Sequence, residues 1–133
     1  TAEKNHEFGA DYEMATGVYY GTYLCRLDPW PDSVTASFGK LNMDVYLTMW
    51  GPSEFTVNGK LKQFDLMPRL PEIPVPVLLT CGDNDEAGVK MVKDFQMAFP
   101  LGSMAVIPGA AHLHHIEQPL IYKTIVSEFL KDK

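Results

Sequence analysis

Val75-Pro76-Val77-Leu78-Leu79-Thr80-Cys81-Gly82-Asp83-Asn84-Asp85-Glu86 is the stretch that decides the fold class. Its apolar run, Val75 to Cys81, shows no alternation, as expected of a strand buried on both faces in a parallel sheet. An acidic loop, Gly82 to Glu86, follows directly. A second apolar run, Met104 to Ile107, leads on to His112. Between the two, Glu86 to Phe99 places Val89, Val92, Phe95, Met97 and Phe99 at helical spacing, and Pro100-Leu101-Gly102 ends the pattern. Strand, helix and strand in this order predict a right-handed βαβ crossover, so the fold class is α/β.

Working outward, a last helix is expected over about Gln118 to Lys131, with Ile121, Ile125, Phe129 and Leu130 inward and Pro119 in its first turn. Upstream, residues 11–26 carry Met14, Val18, Tyr19 and Tyr23 near helical spacing. They predict one amphipathic helix with Asp11 as N-cap, weakened by about 1 kcal/mol at each of Gly17 and Gly21. Asp28-Pro29-Trp30-Pro31-Asp32 reads as a rigid corner, because two prolines deny backbone donors. Asp32-Ser33 then caps a second helix to about Met49, with an interruption near Gly39, and Trp50-Gly51-Pro52 stops it. Asn58-Gly59 predicts a turn that pairs Thr56-Val57 with Lys60-Leu61 as a brief hairpin. Asp65 to Leu70 reads as a helical turn closed by Pro71. The proline-rich stretch around Pro71, Pro74 and Pro76 is read as the boundary between a helical segment, 1–71, and an α/β part, 72–133.

With 133 residues, 46% of them hydrophobic, the chain is long enough for a real core. The net charge of −6 comes from 17 acids and 11 bases that are interspersed, which argues against a nucleic-acid partner or an anionic membrane surface. No apolar run approaches the roughly 18 residues of a membrane span, and no signal segment opens the chain, so a cytoplasmic location is expected. Cys25 and Cys81 are read as reduced, packed thiols.

Asp85 lies beyond the carboxyl end of the first strand and His112 beyond that of the second, where open α/β sheets place catalytic groups. In that chain order they match the second and third members of a Ser…Asp…His arrangement. The histidine takes the nucleophile's proton and passes it to the leaving group, while the carboxylate fixes its tautomer. The plainer alternative makes Asp85 a helix cap and His112 a loop histidine. His112, His114, His115 and Glu117 invite a metal reading, but their spacing fits no zinc signature, and solvated loop histidines are the expectation. Glu54, in an aromatic-rich segment, is a carboxylate suited to a cationic group, or else a surface acid. No metal or other cofactor is expected.

Five stretches taken together resemble the proline iminopeptidases, serine peptidases of the α/β-hydrolase fold. They are Leu24 to Asp32 (LCRLDPWPD), Met49 to Phe55 (MWGPSEF), Gly59-Lys60-Leu61-Lys62 leading to Asp65, Gly82 to Glu86, and Ala111-His112 with Glu117-Gln118-Pro119. The resemblance implies that Asp85 is the triad acid, His112 the triad base, and Glu54 and Glu86 the carboxylates that bind a substrate's free α-amino group. It also implies a helical cap in the first half of the chain and, as substrate, a short peptide with a free N-terminal proline. The family's GxSxG elbow and glycine-rich oxyanion loop are not among the 133 residues. The chain therefore resembles the C-terminal half of such an enzyme: the later cap, then the last two parallel strands and helices. It is expected to be inactive alone and to associate either with the missing N-terminal half or with itself. Ala87-Gly88-Val89 and Tyr23 depart from the family's usual residues. A non-catalytic binding module derived from a hydrolase, and a hydrolase acting on esters or epoxides, are the two other readings.

Overall fold

Residues near helical spacing form α1 (Ala10–Tyr19), the first element of the described residues, in the structure, a computed structural model that describes residues 9–131. Asp11 lies inside the first turn rather than capping it; the amides of Tyr12 and Glu13 donate to the Gly9 carbonyl at 2.9 and 3.1 Å. The single helix expected to Arg26 ends sooner, passing at Tyr20 into a π-helical turn, Tyr20–Leu24. Such a turn takes one extra residue and so shifts the helical phase of the residues after it. Met14 and Val18 stay exposed, whereas Leu24 and Cys25 are buried.

The helix expected from Asp32 to Met49 is two helices, α2 (Asp32–Phe38) and α3 (Met43–Met49). The break follows Gly39, and Asn42 restarts the ladder by accepting from the Val45 amide at 3.2 Å. Pro31, not Asp32 or Ser33, occupies the cap position of α2. Gly51 takes φ +138°, where a Cβ would lie 2.3 Å from the Thr56 carbonyl oxygen, so the chain turns sharply there as expected. The hairpin at Asn58-Gly59 does not form. Both of those amides donate back to the Trp50 carbonyl, at 3.0 and 2.8 Å, which draws the turn onto the end of α3, and Lys60–Gln63 becomes a 3-10 turn.

After a 3-10 turn, Met67–Glu72, that contains Pro71, come β1 (Val77–Gly82), α4 (Val89–Ala98) and β2 (Gly102–Ile107). The strands pair in parallel, from Val77 with Gly102 to Gly82 with Ile107, which is the expected βα unit and crossover. They form a two-stranded sheet, and α4 packs against both strands and against the Met67–Glu72 turn. Burial on both faces of β1 is not complete within this chain: Val77 to Thr80 are half-buried and only Cys81 and Gly82 are buried. Among the described residues β1 has a strand partner along one edge only, so it has less covering it than a central strand has.

His114–Glu117 forms a one-turn helix, α5, where a loop was expected, and α6 (Pro119–Lys131) packs on it and on β2. Ile125 and Phe129 of α6 are half-buried, but Ile121 and Leu130 are exposed rather than inward. The chain divides into two units, one of residues up to Gly17 with Pro29–Asp65, the other of Val18–Asp28 with Leu66 onward. In the second unit burial is deepest at the carboxyl ends of the strands, in the loop beyond β2 and just after the π-helical turn: Cys81, Ile107, Ala110, Ala111 and Cys25 are all wholly buried.

Candidate active site

The loops after β1 and β2 are held against each other by backbone. A Cβ on Gly82 would lie 2.1 Å from the Ala110 carbonyl oxygen, so glycine is required where the loops meet. The Asp83 amide donates to the Ile107 carbonyl at 3.1 Å and the Asn84 amide to the Ala110 carbonyl at 3.0 Å. In return the Ala110 amide donates to Asp83 Oδ1 at 3.2 Å. Hydrogen bonding at the Gly109 backbone, foremost, and then at the Asn84 side chain and Ala110 holds the Asp83 carboxyl below its ordinary range despite some desolvation.

Asp85 and His112 are brought together. His112 Nδ1 lies 2.9 Å from Asp85 Oδ1, with the carboxylate side chain 3% exposed and the imidazole 47% exposed. The same oxygen accepts the Ala87 amide at 2.9 Å. Burial by itself pushes the Asp85 carboxyl up, but the hydrogen bond from His112, the Ala87 amide, the charge of His112 and the Gly82 backbone outweigh it, and the net direction is down. An ionised carboxylate only accepts, so neutral His112 carries its proton on Nδ1. Proton exchange with a reactant then falls to Nε2.

The segment after the π-helical turn ties the two loops a second time. The Tyr23 carbonyl accepts from the Glu86 amide at 3.2 Å and from the His112 amide at 3.0 Å, and the Leu24 carbonyl from the Leu113 amide at 2.9 Å. Glu117 closes the arrangement: Oε1 accepts from the Arg26 amide at 2.5 Å and Oε2 from the Ala111 amide at 2.6 Å. Glu86 is half-buried beside Asp85.

His114 is buried, contrary to the expectation of solvated loop histidines. Its Nε2 lies 2.9 Å from Thr80 Oγ1 and its Nδ1 4.0 Å from Asp85 Oδ2. Burial foremost pushes its pKa down, against the pull of the Asp85 charge. Thr80, His114 and Glu117 carry no sequence signal for these roles beyond the recurrence of Glu117 in the resemblance.

Glu54 belongs to the first unit. It is half-buried, and its Oε1 is buried without a hydrogen-bond partner, as are Trp50 Nε1, Ser53 Oγ and Thr56 Oγ1. A buried polar atom left unpaired is costly, which makes this segment suited to a polar or cationic ligand. Burial, and after it the charge of Glu54, pushes the Tyr46 hydroxyl up. Leu41, Val45, Tyr46, Met49 and Trp50 line an apolar groove of about 350 Å³ in the same unit.

Of the serines, Ser33 and Ser37 lie in α2, Ser53 in a loop, Ser103 in β2 and Ser127 in α6, so none stands at a strand-to-helix turn. Both cysteines are buried, with burial the foremost cause raising each thiol, the reverse of what a nucleophile requires. Among the described residues no group of three or more His, Cys, Asp or Glu side chains is arranged to hold a metal ion, and no helix is long and apolar enough to cross a membrane.

No protein-family model matches the chain. The proline iminopeptidase of Heyndrickxia coagulans is 36% identical over 121 residues, which cover 90% of this chain and 42% of that protein. That of Chitinophaga pinensis is 33% identical over 122 residues, covering 90% and 41%. The crystal structure of the proline iminopeptidase of Mycobacterium smegmatis superposes with a TM-score of 0.90 at 33% identity, over 98% of this chain and 45% of that one. The chain thus spans somewhat less than half the length of the relatives it matches. In sequence and in fold it is a relative of the proline iminopeptidases, and it has the structure of the C-terminal part of an α/β-hydrolase.

Proposed function

We propose that the chain supplies the acid and the base of a serine aminopeptidase that releases N-terminal proline from short peptides, as the names of its relatives indicate for them. The observation that carries this reading is the pairing of a buried, ionised Asp85 with a half-exposed His112 through Nδ1. His112 Nε2 takes the proton of a serine hydroxyl as that oxygen attacks the prolyl carbonyl. Asp85 stabilises the imidazolium, which then protonates the departing amine; water repeats the sequence on the acyl-enzyme. Glu54 and Glu86 are assigned to the substrate's α-ammonium. The orphaned Oε1 of Glu54 supports its assignment, and Glu86 directly follows the triad acid. The serine comes from an N-terminal half, which also gives β1 the second neighbour it lacks here, and the working enzyme is cytoplasmic.

The test is a chimera in which this chain replaces the matching 45% of the Mycobacterium smegmatis enzyme. The chain alone is expected to release no chromophore from a prolyl anilide, and the chimera to release it. His112→Ala in the chimera is expected to lower kcat by about 10⁴-fold or more. Glu54→Gln and Glu86→Gln should each raise KM for the free amine and leave an N-acylated ester substrate unaffected. Turnover by the chain alone, or a His112→Ala chimera that keeps its rate, overturns the proposal. Hydrolysis of simple esters with no prolyl anilide turnover points instead to a different hydrolase chemistry.

A further inference from the structure

The Asp85 carboxylate sits between two imidazoles, and only that of His112 has a part in the proton transfer. Oδ1 is taken by His112 and the Ala87 amide, whereas His114 stands on the Oδ2 side with Nδ1 at 4.0 Å. That Nδ1 is buried and makes no hydrogen bond, while Nε2 meets Thr80 Oγ1 at 2.9 Å. A neutral imidazole has one proton and two places for it. With the proton on Nε2, donated to Thr80, the bare lone pair of Nδ1 faces a carboxylate in a buried setting, and the two repel. With the proton on Nδ1, the N–H dipole points toward the carboxylate, and the Thr80 hydroxyl donates to Nε2. The rings of His115 and Tyr122 also face His114, at centroid separations of 5.9 and 5.7 Å.

We propose that His114 is a positioning residue for the Asp85–His112 pair: a neutral imidazole whose tautomer, protonated at Nδ1, is set by the Asp85 carboxylate and accommodated by the Thr80 hydroxyl, and whose N–H dipole holds the carboxylate so that Oδ1 stays on His112. The importance of that positioning for catalysis rests on the proposed function, but the arrangement is a property of the chain as it stands. At 4.0 Å the contact is a charge–dipole interaction and not a hydrogen bond. Its strength comes from the low exposure of both partners.

Imidazole nitrogen spectra of the intact 133-residue chain test this without any peptidase assay, so failure here and failure of the proposed function are separate results. In the unsubstituted chain His114 is expected as the Nδ1–H tautomer; an Nε2–H tautomer overturns the proposal. Thr80→Val, which keeps the side chain's shape and removes its hydroxyl, is expected to leave the Nδ1–H tautomer in place, because the carboxylate sets it; a shift to the Nε2–H tautomer counts against the proposal. The amide nitrogen of asparagine falls near the position of Nδ1, and that of glutamine near Nε2. Accordingly, solvent exchange of the His112 Nδ1 proton is expected to stay within about twofold in His114→Asn and to quicken about threefold or more in His114→Gln, a modest loss typical of one neutral polar contact. Equal effects of the two variants assign His114 to packing alone. If His114→Gln does not fold, the tautomer of the unsubstituted chain and the Thr80→Val spectrum decide.

Discussion

The two units of this chain spend their polar groups in opposite ways. In the second, the backbone amides of residues 83, 84, 86, 110, 111, 112 and 113 are all committed to bonds that tie the loops beyond β1 and β2 to each other or to Tyr23–Arg26 and Glu117. In the first, four residues of one short segment, Trp50, Ser53, Glu54 and Thr56, each leave a buried polar atom unpaired, where the second unit leaves His114 Nδ1 so. Cross-tied backbone holds the Asp85 carboxylate and the His112 imidazole at hydrogen-bond distance. Buried polar atoms left unpaired each cost stability, so that segment gives up stability that the loops of the second unit keep.

That contrast breaks first on stability. Ile107 ends β2 with no exposure, so Ile107→Ala is expected to cost about 2–5 kcal/mol in urea unfolding of the chain, from lost burial and the cavity left behind. Val45→Ala in α3, at a side chain 55% exposed, is expected to change stability by less than about 0.5 kcal/mol. Equal costs at the two positions remove the distinction between a packed and a presented unit.

A smaller effect is expected at Glu117, which accepts two amides from two different segments. Glu117→Gln keeps one acceptor oxygen and turns an NH₂ toward the other amide. The cost is about 1–3 kcal/mol if the buried Ala111 amide is the donor left unpaired, and less if it is the exposed Arg26 amide. Hydrogen exchange should quicken at Arg26 or Ala111 and spread to His112 before it reaches β1. Loss confined to α5 would make Glu117 a local helix residue and not a tie between loops.

The order β-α-β-α was legible because apolar runs and helical spacing are local signals. Val77–Gly82, Val89–Ala98, Gly102–Ile107 and Pro119–Lys131 fall within a few residues of where the sequence puts them. The interruption near Gly39 was legible for the same reason. The π-helical turn at Tyr20 was not, because a widened turn is fixed by what it packs against and has no residue pattern of its own. The hairpin at Asn58-Gly59 failed since a turn dipeptide does not say which carbonyl its amides will find. Asp85 and His112 emerged from their places after the two strands. His114 did not, because burial of a loop histidine depends on the Thr80 hydroxyl of β1, which is 34 residues away in sequence.

The smallest expected effect separates the units by the direction of pH. In the second unit burial lowers the His114 pKa from its ordinary 6.5, and the net of its surroundings lowers the Asp85 carboxyl from 3.8. For a group whose folded pKa is depressed, the unfolded chain binds the proton first. Stability is therefore complete above the ordinary value and declines as pH falls toward the folded one. His114 begins this decline below 6.5, and Asp85 adds to it below 3.8. In the first unit Tyr46 is raised from 10.0, so its contribution is complete below that value and is lost as pH rises beyond it. The chain carries its own probes, since Cys25 and Cys81 lie in the second unit and Trp30 and Trp50 in the first. Between neutrality and about pH 5, trapping of the cysteines, corrected for their thiolate fraction, should quicken before tryptophan fluorescence moves, and in strong alkali the order should reverse. In His114→Asn, which has no imidazole to charge, the quickening near pH 5 should disappear while the alkaline change stays. Thiols and tryptophans that respond together at both extremes would mean that the two units open as one.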